Sequence, residues 1–151
     1  MPRIIERSGL PPTFPTHSQD ASFWEALGRA VAAFGFLEWT LQRAIFALSG
    51  DQPAPEEEAE RQAALNAWQK ELEEALKATL GLLATGFEQA VANHPRASKD
   101  YAAEVVADIR AAASLRNAIC HACWQPASAV VAKPFFVSRN LEVLESEIDI
   151  A

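Results

Sequence analysis

The sequence predicts a mainly α fold, with two long helices, two shorter ones and a small C-terminal β-hairpin. Apolar residues recur at spacings of three, four or seven along most of the chain, which is typical of helices with one buried face. Half of the 151 residues are hydrophobic, enough for the core of one domain. A proline-rich start and a change of pattern after Pro126 limit the helical region to the middle of the chain.

The first 18 residues are predicted to form an extended N-terminal arm, followed by a single domain over residues 19–151. Proline fixes the backbone and removes a hydrogen-bond donor, so a proline-rich segment does not form a helix. The arm contains four prolines, at positions 2, 11, 12 and 15. Its apolar residues give it the means to dock on the domain: Ile4, Ile5, Leu10 and Phe14.

The first helix is predicted to begin at Asp20, a favourable N-cap residue, and to end near Leu48, before Ser49-Gly50-Asp51. Its predicted buried stripe consists of Phe23, Leu27, Val31, Phe34, Leu41, Ile45 and Leu48. Glu38 lies on the same stripe. A buried carboxylate is costly without a partner, so we expect Glu38 to pair with a cation, most simply Arg116.

A linker, DQPAPEEE, leads into the second helix, predicted from about Pro55 to Leu83. The predicted buried stripe of this helix is Leu65, Trp68, Leu72, Leu76, Leu80 and Leu83. A shorter helix over Gly86–Asn93 is expected to end at His94-Pro95. His17 and His94 both fall in loop-like stretches and are predicted to be solvated.

The last long helix is predicted from Lys99, after an N-cap at Ser98, to about Ala122, before Pro126. A hairpin over about 127–139 follows. Its strands are the apolar runs 129–131 and 135–137, and residues 132–134 form the turn. The final stretch, Leu141 to Ile150, fits a short helix or a strand.

The net charge and the two cysteines limit the classes of partner and the cellular compartment that we expect. A net charge of -7 argues against a general nucleic-acid coat protein, since phosphate binding needs lysine and arginine. Basic residues are nevertheless in excess over 96–139, which leaves room for a local anion-binding face: Arg96, Lys99, Arg110, Arg116, Lys133 and Arg139. No secretory leader or uncharged apolar run of roughly 18 residues is evident, so we expect a cytoplasmic protein with reduced thiols and no membrane partner.

The segment SLRNAICHACWQP, residues 114–126, concentrates polar and titratable residues at the end of the last long helix. It fits a metal site, a catalytic site or a polar network that holds helices together. A closed zinc site takes four ligands, commonly two pairs, and the chain has no second cysteine pair to complement Cys120, His121 and Cys123. We therefore expect no metal or other cofactor, and predict that both cysteines are small buried hydrophobic residues.

Helical spacing places Arg116 on one stripe with core residues, and Asn117, His121 and Trp124 on a second. Arg116 and His121 are about 140° apart around the axis, a separation that a long arginine side chain can span. Arginine binds phosphate through paired hydrogen bonds, and neutral imidazole accepts a proton near neutral pH. This combination favours chemistry on an anionic substrate.

The order Arg116-Asn117-Ala118-Ile119-Cys120-His121 resembles the R-x-x-x-x-H motif of the HEPN superfamily. The extended pattern R-N-x-x-x-H-x-x-W is similar to that of stand-alone bacterial HEPN-like proteins, and Gly35-Phe36-Leu37-Glu38 resembles their first-helix motif. The similarity covers residues 20–125. It implies an up-and-down helical bundle in which two protomers bring their motifs to one cleft.

The resemblance implies a metal-independent endoribonuclease of toxin or defence type, with RNA as substrate and an antitoxin or other protein as a further partner. Arg116, His121 and Asn117 are then the expected catalytic residues, supported by Glu38 and Trp124. The alternative is a non-catalytic HEPN-like module for dimerisation or ligand binding. Phe36 and Trp39 belong to a second apolar surface, and the total apolar area is more than one small bundle can bury. Both interpretations therefore predict a homodimer.

Overall fold

The computed structural model describes residue 9 and residues 11–13, 16–125, 131–137, 143–144 and 148–149. Most of these residues lie in four helices, which confirms the mainly α fold. The helices are α1 (Ala21–Gly50), α2 (Glu58–Lys77), α3 (Leu80–Asn93) and α4 (Ala102–His121). Four short strands follow: β1 (Cys123–Gln125), β2 (Val131–Val137), β3 (Val143–Leu144) and β4 (Ile148–Asp149).

The described part of the N-terminal arm is not uniformly extended, so the prediction is wrong there. Residues 16–18 form one turn of 3₁₀ helix, and the Thr16 amide donates to the carbonyl of Thr13 at 2.7 Å. The Trp24 indole N–H then donates to the Thr16 carbonyl at 2.9 Å, which ties this turn to α1. The apolar residues expected to dock, at positions 4, 5, 10 and 14, lie outside the described residues.

Helix α1 begins where its predicted N-cap requires. The Asp20 carboxylate accepts hydrogen bonds from the Phe23 amide at 2.9 Å and from the Ser22 hydroxyl at 2.7 Å. These bonds stabilise the ionised form, with the Phe23 amide contributing most, so the pKa of Asp20 is lowered. The cap is therefore confirmed, and the helix ends at Gly50, two residues beyond the predicted Leu48.

The second predicted helix is interrupted, which the sequence did not indicate. Ala78 and Thr79 both adopt extended backbone conformations, with ψ of 145° and 160°. The chain therefore ends α2 at Lys77 and begins α3 at Leu80, so the predicted short helix over 86–93 is the second half of α3. The interruption redirects Leu80 and Leu83, each 1% exposed, into the core.

The main core is formed by one face each of α1, α3 and α4. Its buried members are Leu41, Ile45, Leu80, Leu83, Ala84, Ile109 and Ala113. The stripe predicted for the second helix is therefore confirmed at Leu80 and Leu83 of α3, whereas α2 itself contributes no fully buried residue. Leu76 is 68% exposed and Leu65 is 43% exposed. An open groove of about 1010 Å³ is lined by residues of α1, α2 and α3 and their linker.

The β-hairpin is present but differs from the predicted one. Residues 132–134 were expected to form a turn, yet they lie inside the continuous strand β2. The partner is β1, which pairs antiparallel with β2 and places Trp124 opposite Pro134. Pro134 is almost fully buried. Strands β3 and β4 also pair with β2, which confirms the strand alternative for those residues.

The chain divides into two compact units. The larger is residues 31–117, and the smaller combines Met1–Ala30 with Ala118–Ala151. Helix α1 is long and apolar enough to meet a length and composition criterion for a membrane span, with a mean hydropathy of 1.2 over its best window. It packs Leu41 and Ile45 into the core of the larger unit, and 11% of the qualifying window is buried.

Candidate functional site

In the larger unit, Arg116 on α4 is held beside Glu38 of α1, as the sequence predicts. A guanidinium nitrogen of Arg116 lies 3.8 Å from Oε1 of Glu38. A second guanidinium nitrogen donates to the Oδ1 atom of Asn117 at 3.2 Å. The side chains of Arg116 and Glu38 are 28% and 26% exposed, so the ion pair is accessible to water rather than fully buried.

This geometry leaves binding capacity on Arg116. A guanidinium carries five N–H donors, and one of them serves Asn117. The 3.8 Å separation from Glu38 gives electrostatic attraction without a direct hydrogen bond. Ion pairs accessible to water contribute up to about 1 kcal/mol, well below the value for a fully buried pair. Arg116 is therefore positioned by its neighbours while its remaining donors stay available.

In the smaller unit, His121 is the last residue of α4, and its side chain is exposed. Within the described part of the chain its ring takes part in no hydrogen bond or ion pair. Asn117 bonds only to the adjacent Arg116 there. Among the described residues, then, no contact of Asn117 or His121 ties helix ends together, and the His121 ring is exposed to solvent.

Trp124 does not continue the helical stripe of Asn117 and His121, because it lies in β1. Its ring packs edge-on against Phe23 of α1, with 4.8 Å between ring centroids. Phe23 is 5% exposed and also makes an edge contact with Trp24. Trp124 thus belongs to an aromatic cluster of the smaller unit that fixes the chain immediately after His121.

Cys120 and Cys123 are both exposed, which corrects the prediction that they are buried hydrophobic residues. Cys123 is also outside the helix, as the first residue of β1. Among the described residues, no group of three or more histidine, cysteine or acidic side chains is arranged to hold a metal ion.

A second histidine cluster was missed at the sequence level. His94, predicted to be solvated, is 7% exposed. Its Nδ1 atom accepts a hydrogen bond from the Arg96 amide at 3.2 Å, and its Nε2 atom lies 3.3 Å from the carboxylate of Asp51. Because Nδ1 accepts, Nε2 carries the proton and donates to Asp51. His17, by contrast, is exposed as predicted.

Asp51 joins this cluster to the end of α1. The hydrogen bond from His94 and that from the Arg96 guanidinium favour its ionised form, so the pKa of Asp51 lies below its ordinary value of 3.8. Asp51 and His94 are 43 residues apart in the sequence. No local pattern in the sequence indicates such a contact.

The predicted basic face is partly neutralised by acids of the same chain. Arg96 pairs with Asp51, and Arg110 pairs with Glu88 at 2.7 Å. Arg116 has Glu38 as its electrostatic partner. These ion pairs reduce the positive potential of the predicted face, and phosphate binding depends on such potential.

An exposed aromatic face runs along α1. Phe36 is 67% exposed and Trp39 is 50% exposed, with their ring centroids 5.9 Å apart. The Arg43 guanidinium lies over the Trp39 ring at 4.7 Å, a cation–π contact. Phe46, 52% exposed, continues the same direction toward Trp68. This face, defined by Phe36, Trp39, Arg43 and Phe46, is the second apolar surface that the sequence indicated.

No protein-family model, curated protein or solved structure matches the chain. The HEPN resemblance therefore remains a prediction that rests on the residues of the R-N-x-x-x-H-x-x-W pattern. What bears on function is the chemistry of those residues where the fold places them.

Proposed function

We propose that the protein is a HEPN-like, metal-independent endoribonuclease that acts as a homodimer, with His121 as general base. The observation that carries the proposal is the state of the His121 ring, which is exposed and unbonded within the described part of the chain. A histidine kept for structure is normally buried and bonded, as His94 is. A free imidazole at the end of a helix is instead available to exchange protons with a substrate.

Arg116 supports the proposal as the anion-binding partner. It lies five residues before His121 on the same helix, and its guanidinium is oriented by Asn117 and Glu38. Positioned donors stabilise charge that develops on a phosphoryl group, and they do so without reorganising during the reaction. Glu38 and Asn117 would then act as positioning residues for the arginine.

The chemistry needs no metal ion. His121 removes the proton from a ribose 2′-hydroxyl, and the 2′-oxygen attacks the adjacent phosphorus. Arg116 stabilises the negative charge on the non-bridging oxygens. The bond from phosphorus to the 5′-oxygen breaks, and that oxygen takes up a proton from the imidazolium of a catalytic histidine or from water. The products are a 2′,3′-cyclic phosphate end and a 5′-hydroxyl end.

The exposed aromatic face supports the homodimer. Aromatic side chains present roughly 150–250 Å² each, so the exposed parts of Phe36, Trp39 and Phe46 sum to roughly 350 Å². A typical stable interface buries about 800 Å² on each partner. These three rings alone would therefore provide nearly half of the area that a stable dimer needs, with α2 offering further uncovered leucines.

The same face also favours a second candidate function, a non-catalytic HEPN-like module for dimerisation or ligand binding. Compensation of Arg96, Arg110 and Arg116 by acids fits this alternative, because it lowers the affinity for RNA. The two functions differ in whether His121 has chemistry to perform. An activity assay therefore separates them.

The test uses full-length protein incubated with mixed RNA in EDTA, beside the His121→Ala and Arg116→Ala variants. The proposal expects cleavage that survives chelation, leaves cyclic phosphate ends and falls by about 100-fold or more without the general base. His17→Ala is the matched control, since it removes the other exposed histidine and should leave the rate unchanged.

Equal cleavage by wild type and His121→Ala would overturn the catalytic role and indicate a contaminating nuclease. Absence of cleavage by wild type, together with a dimer that Trp39→Ala weakens in light scattering, would favour the module. Activity that is lost in EDTA and restored by zinc would contradict the metal-independent mechanism.

A further inference from the structure

We propose that Cys120 and Cys123 are a redox modification site, forming a reversible internal disulfide by exchange with a low-molecular-weight disulfide such as oxidised glutathione. They are the two cysteines of the chain, and both are exposed. A thiol must be accessible to react with a dissolved disulfide, and buried structural cysteines are inert in this respect. With no third cysteine, an internal disulfide can only join these two.

The backbone between the two cysteines changes from helix to strand. The Ala122 amide still donates to the Ala118 carbonyl at 2.9 Å, which completes the last turn of α4. Cys123 then opens β1. The pair is thus not locked on one continuous helix, where a cross-link would have to distort a rigid backbone.

The distances that this junction permits include those of a disulfide. Residues three apart are separated by about 5 Å between Cα atoms within a helical turn, and by about 10 Å when fully extended. Disulfides need about 4.4–6.8 Å between Cα atoms. A segment that is helical at Cys120 and leaves the helix at Cys123 lies between the two limits, so the bond forms when the backbone of the two intervening residues brings the Cα atoms into the disulfide range.

The exchange proceeds in two balanced steps. The thiolate of one cysteine attacks a sulfur of oxidised glutathione, which forms a mixed disulfide and releases one glutathione thiolate. The thiolate of the second cysteine attacks the protein sulfur of that mixed disulfide and releases the second glutathione. The two protons lost by the protein thiols are taken up by the released thiolates. The protein gives up two electrons, and one oxidised glutathione becomes two reduced molecules.

The bond is expected to be reversible. It closes a loop of only four residues, so it removes little chain entropy from the unfolded protein. Exposed disulfides are also open to attack by reduced thiols, and they form the labile, regulatory class rather than the permanent structural one.

Closing the loop would change the position of His121. Both ends of the loop are anchored, since Cys120 belongs to α4 and Cys123 pairs with Phe135 of β2. His121 and Ala122 are the two residues left to absorb the adjustment. A displacement of about 1 Å in a catalytic group can lower a rate by about 100-fold. The disulfide would thus switch off the site, and this consequence rests on the proposed function.

The site itself is tested without RNA. Reduced wild-type protein is equilibrated with reduced and oxidised glutathione at several ratios, trapped with iodoacetamide and weighed intact. We expect a species lighter than the reduced protein by two hydrogen atoms, free of glutathione and converted back by dithiothreitol. Cys120→Ser and Cys123→Ser should each carry one glutathione instead. Wild-type protein that carries two glutathiones, or that stays fully reduced while the single variants become modified, would overturn the proposal.

The consequence for His121 is tested by RNA cleavage with the oxidised and reduced forms. Wild type should lose about 100-fold of its rate on oxidation, while Cys120→Ser, which cannot form the bond, should keep its rate under the same treatment. Equal loss in both would contradict control by the disulfide. A reduced protein that never cleaves RNA would refute the proposed function, while the mass measurement would still decide the disulfide.

Discussion

Two stretches of this chain place a histidine near an arginine, and they use the histidine in opposite ways. After α3, His94 is buried and both of its ring nitrogens are bonded, one to the Arg96 amide and one to Asp51. At the end of α4, His121 is exposed with no partner in the described part of the chain. The residue types are the same, so the difference in burial and bonding gives His94 a structural role and is the basis on which we propose chemistry at His121.

The largest effect on stability is expected from His94→Ala. The substitution removes the ring that accepts from the Arg96 amide and donates to Asp51, and it leaves an empty space at the end of α3. Asp51 keeps its exposed ion pair with Arg96, so the loss comes from the Arg96 amide and the emptied space and should total about 1–3 kcal/mol. Urea denaturation should show a loss of this size for His94→Ala, against about 0.5 kcal/mol or less for the same substitution at His121. Equal losses at the two positions would remove the contrast between them.

A smaller, pH-dependent effect is expected from Asp51→Asn. The folded-state pKa of Asp51 is lowered, first by the hydrogen bond from His94 and then by Arg96, so its ionised form stabilises the fold. A group with a depressed pKa contributes above its unfolded value and loses that contribution as the pH falls through the folded value. The melting temperature of wild type should therefore exceed that of Asp51→Asn at about pH 5, and the gap should close toward about pH 2.

A second carboxylate with a lowered pKa, Asp20, does not disturb this comparison. Its pKa is also lowered, but the Asp20 contribution is present in both proteins and cancels in the difference. A gap in melting temperature that stays constant from pH 5 downwards would show that Asp51 acts through its shape or polarity rather than its charge.

Features that depend on residues close together in the sequence were predicted correctly. The N-cap at Asp20 and the core positions Leu41 and Ile45 follow from capping chemistry and helical spacing, and both were predicted correctly. The pairing of Glu38 with Arg116 followed from the cost of an unpaired charge on an apolar stripe.

Features determined by distant parts of the chain were predicted less well. Neither Ala78 nor Thr79 is a glycine or proline, and the local signals for the interruption between α2 and α3, an N-cap residue type at Thr79 and the nearby Gly81, are weak within a continuous apolar periodicity. The periodicity of α2 is the same whether its stripe is covered by this chain or by a partner. Pro134 suggested a turn, although its place opposite Trp124 is within a strand. The contact of His94 with Asp51 links residues 43 apart.

The contrast between the two histidines can be measured most directly by NMR. The chain has three histidines, so their imidazole signals can be assigned by single substitutions. The protein is titrated with an RNA oligonucleotide whose 2′-hydroxyls are methylated, which permits binding and prevents cleavage. We expect the His121 signals to shift on binding, while those of His94 and His17 stay fixed. Signals of His121 that stay fixed at saturation, or a shift confined to His94, would contradict this expectation.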